Sequence, residues 1–170
     1  MVLGPMIATW RRRTMTTMIE SHDYHLTLRS TGPKAGEFTG TEGEVPALAV
    51  ASPPEFQGPG KTWSPEHLFV AAISGCLMTT FRAIAERSGV EVLEYSDAPS
   101  GRLARGEDGR YRMESVTLRP RVVVSDDDEV DKTVRLLHKA EEACLISRSV
   151  SAEVWMEERV QAATPMSRPS

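Results

Sequence analysis

The chain has 170 residues, of which 40% are hydrophobic and 26% are charged. This length and composition are typical of one folded domain with a hydrophobic core, and they exclude a chain that is disordered or membrane-embedded over most of its length. The formal net charge of −4 argues against a nucleic-acid-binding surface, which needs clustered basic residues. The sequence therefore predicts no nucleic-acid partner.

Residues 1–20 contain a dense basic run, Arg11 to Arg13, and we expect them to form a disordered extension. Their charges follow their apolar residues, which is the reverse of a secretory signal. No apolar stretch of the chain approaches the ~18 residues of a membrane-spanning helix, so we expect a cytoplasmic protein without a membrane partner. Two interpretations of the segment stay open. It is an amphipathic targeting segment or, as we favour, it lies upstream of a true start at Met15 or Met18.

The first half of the chain predicts three short strands. Residues 24–30 (YHLTLRS) alternate apolar and polar side chains, as a half-buried strand does. The glycines and proline of residues 31–36 indicate a turn, after which Phe38 and residues 45–50 supply two further strands. Residues 51–63, rich in proline and glycine, form a loop that leads into a helix.

A helix is predicted from residue 65 to residue 88. Ser64 is a favoured N-cap residue, Pro65 suits the first helical position, and Gly89 is a typical helix stop. Residues 68–77 are apolar nearly all the way round the helix. This pattern indicates a helix that is covered on most of its sides.

Three longer strands are predicted in the second half. Residues 90–103 and 111–125 form two of them, joined by a turn whose Asp108–Gly109 pair is typical of hairpins. Residues 150–160 alternate in the same way and close the fold as a third strand.

A second helix is predicted over residues 125–144, because acidic residues crowd its start and apolar residues recur at near-helical spacing. Cys144 lies at its C-terminal end. The order of elements predicts an α+β domain over residues 21–160, in which two helices pack on antiparallel sheets, with a flexible tail at residues 161–170.

The two cysteines do not constitute a disulfide framework, and they are too few for a zinc site. The four histidines show no metal-ligand spacing with either thiol: His22, His25, His67 and His138. We therefore predict no metal and no cofactor. The cysteines are either core residues, as free cysteines often are, or residues of redox chemistry.

Two segments carry a family resemblance. SPEHLFVAAISGC (64–76) and AEEACLISRSV (140–150), in this order of elements, resemble the osmotically induced protein and organic hydroperoxide resistance family (OsmC/Ohr), which are bacterial thiol peroxidases. In that family a reactive cysteine follows a Pro-Glu pair by ten residues, as Cys76 follows Glu66. A second cysteine ends the later helix, as Cys144 does here.

The resemblance implies an OsmC-like fold and an intertwined homodimer. It also implies that Cys76 is oxidised by an organic hydroperoxide to a sulfenic acid, which Cys144 captures as a disulfide. The reductant would be an external thiol or a dihydrolipoyl protein. From the resemblance, Cys76 is the peroxidatic residue and Cys144 the resolving residue.

The family also uses an arginine from its N-terminal strand-turn region, held by the glutamate, to support the thiolate. The nearest residue here is Lys34, with Arg29 as an alternative. Lysine carries the charge without the planar fork of arginine. Lys34 as a site residue and Lys34 as an ordinary turn residue both stay open.

Glu66 poses a geometrical question, because ten residues of helix span ~15 Å. Glu66 meets a Cys76 thiol only if the helix breaks between them or if the glutamate comes from a second chain whose helix runs antiparallel. Alternatively, the helix dipole alone explains a carboxylate at this position. Small residues that would let two helices approach, or that simply fit a monomer core, are Ala71, Ala72, Ser74 and Gly75.

Two other functions remain open at this point. One is a nonenzymatic module that binds a small ligand in the apolar pocket of the fold, and the other is a redox sensor built on the thiol pair.

Overall fold

The computed structural model describes residues 20–40 and 45–164. They form an α+β domain, which confirms the predicted fold class. The predicted N-terminal extension falls outside the described residues except for Glu20, and so does the tail from residue 165 onward.

The described residues form nine strands and two helices. The strands are β1 (Leu26–Gly32), β2 (Ala35–Gly40), β3 (Leu48–Ala51), β4 (Val92–Ser96), β5 (Ser100–Arg105), β6 (Tyr111–Leu118), β7 (Arg121–Val124), β8 (Glu153–Met156) and β9 (Arg159–Ala162). The helices are α1 (Pro65–Arg87) and α2 (Val130–Ala143).

The strands pair in three sheets of three strands each, with the orders β1-β2-β3, β4-β7-β9 and β5-β6-β8. The first sheet is antiparallel, but β8 runs parallel to β6 and β9 runs parallel to β7. The prediction of antiparallel sheets is therefore wrong for these two pairs. The reason is α2, which carries the chain back across the sheets as a crossover, so that the strands after it enter in the same direction as those before it.

The three long strands predicted in the second half are each divided into two. Residues 90–103 become β4 and β5, residues 111–125 become β6 and β7, and residues 150–160 become β8 and β9. Pro99 and Pro120 mark the first two divisions, because proline lacks the N–H that a continuous ladder needs. At each division the chain crosses from one three-stranded sheet to the other.

Polar contacts hold these crossings together. The Asp97 carboxylate accepts hydrogen bonds from the Arg119 backbone N–H at 2.7 Å and from the Ser74 hydroxyl of α1 at 2.5 Å. The Arg119 guanidinium in turn contacts the Glu157 carboxylate at 2.9 Å. These contacts join the crossings to one another and to α1. Ser74, one of the small residues of α1, therefore has a structural role within the single chain.

Helix α1 begins and ends close to its predicted limits. The Ser64 hydroxyl accepts from the His67 backbone N–H, and the His67 ring Nδ1 accepts from the Ser64 N–H, both at 3.3 Å. This reciprocal cap satisfies two amides at the helix start. Gly89, with φ of 66°, follows the last turn in a conformation that favours glycine.

Among the described residues, α1 is also the one helix that is long and apolar enough, by length and composition, to cross a membrane. The expectation that no stretch approaches that length was wrong for α1. Its small residues, such as Ser74 and Gly75, interrupt the apolar run without making it polar. Within one chain, 22% of this apolar window of α1 is buried, with Ile73 and Leu77 buried completely.

The core lies where α1 and α2 pack together against the two sheets of the second half. The Phe81 ring of α1 is fully buried and lies 5.9 Å from the ring of Tyr95. Other buried members of the cluster are Ile73, Leu77, Ala85, Val90, Val116, Leu118, Val122, Val124, Leu137 and Ala140. These side chains fix the orientation of both helices about their long axes.

The N-terminal sheet β1-β2-β3 contributes little to this core. Its buried side chains are those of Val50 and Ala51, at the end of β3. Leu26 and Leu28, which lie on one face of β1, remain 62% and 56% exposed. Within one chain, β1 therefore presents an apolar row to solvent, although its alternation predicted a half-buried strand.

We predict that Phe81→Ala destabilises the protein by about 3–5 kcal/mol, because it removes a fully buried ring from the centre of the core. Denaturant-induced unfolding measures the change. The matched control is Glu86→Ala on the exposed side of the same helix, which should change stability by less than about 0.5 kcal/mol. Equal effects of the two substitutions would contradict the position of Phe81 in the core.

Candidate functional site

The two cysteines meet where α1 passes the end of α2. Cys76 lies near the middle of α1 and is half-buried, whereas Cys144 is the residue that ends α2 and is fully buried. Both are free thiols, and they interact directly through their side chains. The structure thus brings together the two thiols that the sequence singled out.

The turn after α2 folds around this pair. The Cys144 carbonyl accepts from the Arg148 N–H at 3.2 Å, and the Leu145 carbonyl accepts from the Ser149 hydroxyl at 2.7 Å. These bonds curl residues 144–149 into a compact turn. Its backbone N–H groups consequently lie next to the sulfur atoms.

Opposing effects set the pKa of Cys76. Burial raises the pKa of the thiol, but hydrogen bonds outweigh burial, so the net pKa lies below its ordinary value. The donors are the Cys144 thiol, the backbone N–H groups of Ile146 and Leu145, and the Thr80 hydroxyl. Cys76 is therefore the thiol that more readily becomes a nucleophilic thiolate.

The pKa of Cys144 shifts the other way. Burial raises the pKa of this thiol, and the neighbouring Cys76 sulfur raises it further. The neighbouring Ser147 hydroxyl and backbone N–H oppose the rise without reversing it. At neutral pH the pair thus consists of a reactive Cys76 and a protonated Cys144 that donates to it.

The sequence analysis missed the donors that surround Cys76. Thr80 had a readable signal, because residues four apart share one face of a helix. The amides of Leu145 and Ile146 had none, since backbone groups carry no sequence signature and only the turn directs them at the sulfur.

Glu66 lies in the first turn of α1, far from the Cys76 of its own chain. The helix is continuous from Pro65 to Arg87, so about 15 Å of helix separates the two residues, and the alternative of a helix break is wrong. The Glu66 Oε2 atom is buried and has no hydrogen-bond partner among the described residues. A buried carboxylate oxygen without a partner is costly, so two explanations of Glu66 stay open: the helix dipole alone, and a partner outside the chain.

Lys34 is likewise not brought to Cys76 within one chain. It lies in the turn between β1 and β2, and its ammonium donates to the Phe56 carbonyl at 2.9 Å and to the Gln57 side-chain oxygen at 3.3 Å. Arg29 lies on β1 and is exposed. Neither cation is among the described groups that shift the pKa of Cys76.

A cavity of about 900 Å³ opens beside Glu66. Its walls are one side of α1, the loop before that helix and the β5–β6 hairpin. The Phe56 and Tyr111 rings meet edge to face at 5.6 Å in one wall. Other apolar side chains in the lining are Trp63, Val70, Leu103 and Met113. The cavity suits an apolar group next to a carboxylate.

Three small residues of α1 line this cavity: Ala71, Ser74 and Gly75. Ala71 and Ala72 are exposed within one chain, and a Cβ atom built on Gly75 would meet nothing within 4 Å. The alternative that Ala71, Ala72 and Gly75 fit a monomer core is therefore wrong. They leave a shallow apolar surface along the helix.

Residues 20–40 and 45–164 contain no group of three or more His, Cys, Asp or Glu side chains placed to hold a metal ion.

Other proteins are similar to this chain in sequence and fold. A curated relative is the uncharacterized protein YmaD of Bacillus subtilis, 29% identical over 136 residues, covering 78% of this chain and 90% of YmaD. An OsmC-like protein of unknown function from Vibrio cholerae is 26% identical with a TM-score of 0.70, covering 82% of this chain and 99% of the other.

Two further solved structures share the fold at lower identity. An organic hydroperoxide resistance protein from Elizabethkingia anophelis has a TM-score of 0.64 at 19% identity, covering 85% of this chain and all of the other. The organic hydroperoxide resistance protein OhrB of Bacillus subtilis has a TM-score of 0.59 at 22% identity, with coverage of 82% and 98%.

The family comparison covers the part of the chain that carries both thiols. Residues 58–159, more than half of the sequence, match the family described as OsmC-like protein. This range includes α1 with Cys76, the turn that follows α2 and the strands of the two later sheets up to the start of β9. Both the fold and the sequence motifs thus lead to one conclusion: the chain belongs to the OsmC-like protein family.

Proposed function

We propose that this protein is a cysteine-based peroxidase that reduces organic hydroperoxides to alcohols. The observation that carries the proposal is the thiol pair, in which the pKa of Cys76 is lowered and that of Cys144 is raised. A peroxide-related redox role is supported by the likeness to proteins named for organic hydroperoxide resistance.

In the first step the Cys76 thiolate attacks the terminal oxygen of the hydroperoxide. The O–O bond breaks, the alkoxide takes up a proton and leaves as the alcohol, and the sulfur becomes a sulfenic acid. In the second step the Cys144 sulfur attacks that sulfenic acid. Water leaves and a Cys76–Cys144 disulfide forms, which the direct contact of the two thiols favours.

In the third step an external thiol or a dihydrolipoyl protein reduces the disulfide and is itself oxidised. Over the cycle, one hydroperoxide and two reductant thiols yield one alcohol, one water and one oxidised reductant. The proposed reaction needs no metal and no bound cofactor, and free thiols of this kind fit the cytoplasm, where cysteines are kept reduced.

We further propose that the active form is an intertwined homodimer. Antiparallel packing of two α1 helices about Ala71 would place Glu66 of one chain opposite Cys76 of the partner subunit. The open small-residue face of α1, the partnerless Glu66 oxygen and the apolar row on β1 support this arrangement. The cavity beside Glu66 would then receive the alkyl group of the hydroperoxide.

The role of Lys34 as the cation of the site remains part of the proposal. Its ammonium is held by loop carbonyls of its own chain. It would act on the thiolate of the partner subunit, and Arg29 on the neighbouring strand remains the alternative.

We predict that Cys76→Ser abolishes consumption of cumene hydroperoxide, because it removes the nucleophile. Cys144→Ser should permit one turnover and then accumulate sulfinic acid on Cys76, because no thiol captures the sulfenic acid. Mass spectrometry after one equivalent of peroxide checks both outcomes. An oxidised Cys144 beside an intact Cys76 would reverse the two roles.

The wild-type protein provides the control for this prediction and separates it from the competing function. Both thiols should be lost for each peroxide consumed. If peroxide is not consumed while a small apolar ligand is retained in the cavity of about 900 Å³, the protein is a binding module and not a peroxidase.

We predict that Cys144→Ala raises the pKa of Cys76, because the thiolate then loses one of its donors. Since a higher pKa leaves less thiolate at neutral pH, alkylation of Cys76 by iodoacetamide at pH 7 should slow. The alkylation rate measured across pH gives the pH midpoint of the reaction, which reports the pKa of Cys76. Thr80→Val should shift the midpoint in the same direction, and a midpoint unchanged in both variants would show that these donors do not set it.

We predict a dimer at micromolar concentration by sedimentation velocity, because stable interfaces of this kind commonly bury more than ~2,000 Å². Ala71→Arg should yield monomers that remain folded, because residue 71 is exposed within one chain and a long side chain there blocks close helix approach. Glu86→Ala is the matched control and should remain dimeric. A monomeric wild-type protein would overturn the dimer and the shared site.

A further inference from the structure

The turn after α2 distributes its hydrogen-bond donors between the two sulfur atoms. The amides of Leu145 and Ile146 serve Cys76, as described above. The next residue, Ser147, serves Cys144 instead, with its backbone N–H 3.5 Å from the Cys144 Sγ atom. Three consecutive residues, Leu145 to Ser147, thus supply donors to both thiols of the pair.

The hydroxyl of Ser147 belongs to the residue whose N–H contacts this sulfur. Its oxygen is buried and makes no hydrogen bond to any described atom, sulfur included. A buried hydroxyl without a partner costs free energy, so its position requires a reason. The neighbouring Cys144 sulfur supplies this reason, because a Cys144 thiolate would accept hydrogen bonds from both the Ser147 hydroxyl and the Ser147 amide.

The surroundings of Cys144 make such donors necessary. The residue is fully buried, and burial disfavours a thiolate. Cys144 must nevertheless carry negative charge twice in the proposed cycle, once as it attacks the oxidised Cys76 and once as it is released from the disulfide. No described cation acts on its sulfur.

We propose that Ser147 is a positioning residue that stabilises the Cys144 thiolate, both when the disulfide forms and when it is reduced. The inference rests on the proposed function only in requiring a Cys76–Cys144 disulfide. The same inference specifies which of the two sulfur atoms the reductant attacks. The external thiol attacks Cys76, which is partly exposed, and Cys144 is the leaving group.

A thiolate of an external dithiol attacks the Cys76 sulfur, a mixed disulfide with Cys76 forms, and the Cys76–Cys144 bond breaks with its electron pair on Cys144. The Cys144 thiolate is held by the Ser147 hydroxyl and amide until it takes up a proton. The second thiol of the dithiol then displaces Cys76, leaving two reduced cysteines and one cyclic disulfide.

The test uses no peroxide. The disulfide is formed with one equivalent of diamide, which is reduced to the hydrazine as it takes two electrons and two protons from the thiols. It is then reduced with excess dithiothreitol, and the reaction is followed by acid quenching, alkylation and mass spectrometry. Ser147→Ala should slow the reduction about threefold, because a Brønsted coefficient near 0.5 converts a rise of about one pKa unit in the leaving thiol into that factor. Ser147→Thr, which keeps the hydroxyl, should restore most of the rate.

Two controls separate this role from a structural one. Ser151→Ala removes an exposed hydroxyl just beyond the turn, and it should leave the reduction rate unchanged. Alkylation of Cys76 in the reduced Ser147→Ala protein should also be unchanged, because the donors to Cys76 are other groups.

Equal rates of reduction in the wild-type and Ser147→Ala proteins would overturn the inference. An equally large change in Cys76 alkylation would do so too, because it would show a general displacement of the turn. Failure of diamide to form the disulfide would show that the thiols are not a reacting pair. If the wild-type protein does not reduce hydroperoxides, the proposed function is wrong. The role of Ser147 is still decided by the rates of disulfide reduction in this experiment.

Discussion

The packing of α1 against the end of α2 is the constraint on which the rest of the site depends. Ile73 and Leu77 are fully buried, and they fix the rotation of α1 about its axis. Helical geometry then directs the intervening Cys76, and Thr80 one turn later, towards the turn that follows α2. The reactive thiol is thus positioned by the same contacts that stabilise the core.

That position creates an electrostatic problem that the turn after α2 resolves. Burial alone would keep both sulfurs protonated. Amide and hydroxyl dipoles of Leu145 to Ser147 supply negative-charge stabilisation without burying a formal charge. Dipoles fixed by a hydrogen-bonded turn need little rearrangement when charge develops, which suits a site where charge moves between two neighbouring sulfurs.

The features that one chain leaves unsatisfied point to the other half of the site. The row of leucines on β1, the open small-residue face of α1 and the partnerless Glu66 oxygen belong to different elements. They are the observations that support the proposed dimer, in which an antiparallel partner would lie against α1.

The sequence alone determined the α+β class, the limits of α1 and the two cysteines, because capping residues, helical spacing and the Glu66–Cys76 separation are local signals. It did not determine the division of the later strands between two sheets, the parallel pairs made by β8 and β9, or the donors around the thiols. Those depend on where distant segments meet. Pro99 marks a break, but only the tertiary structure decides which sheet the chain enters next, and only the fold of the turn decides that the Ile146 amide faces Cys76.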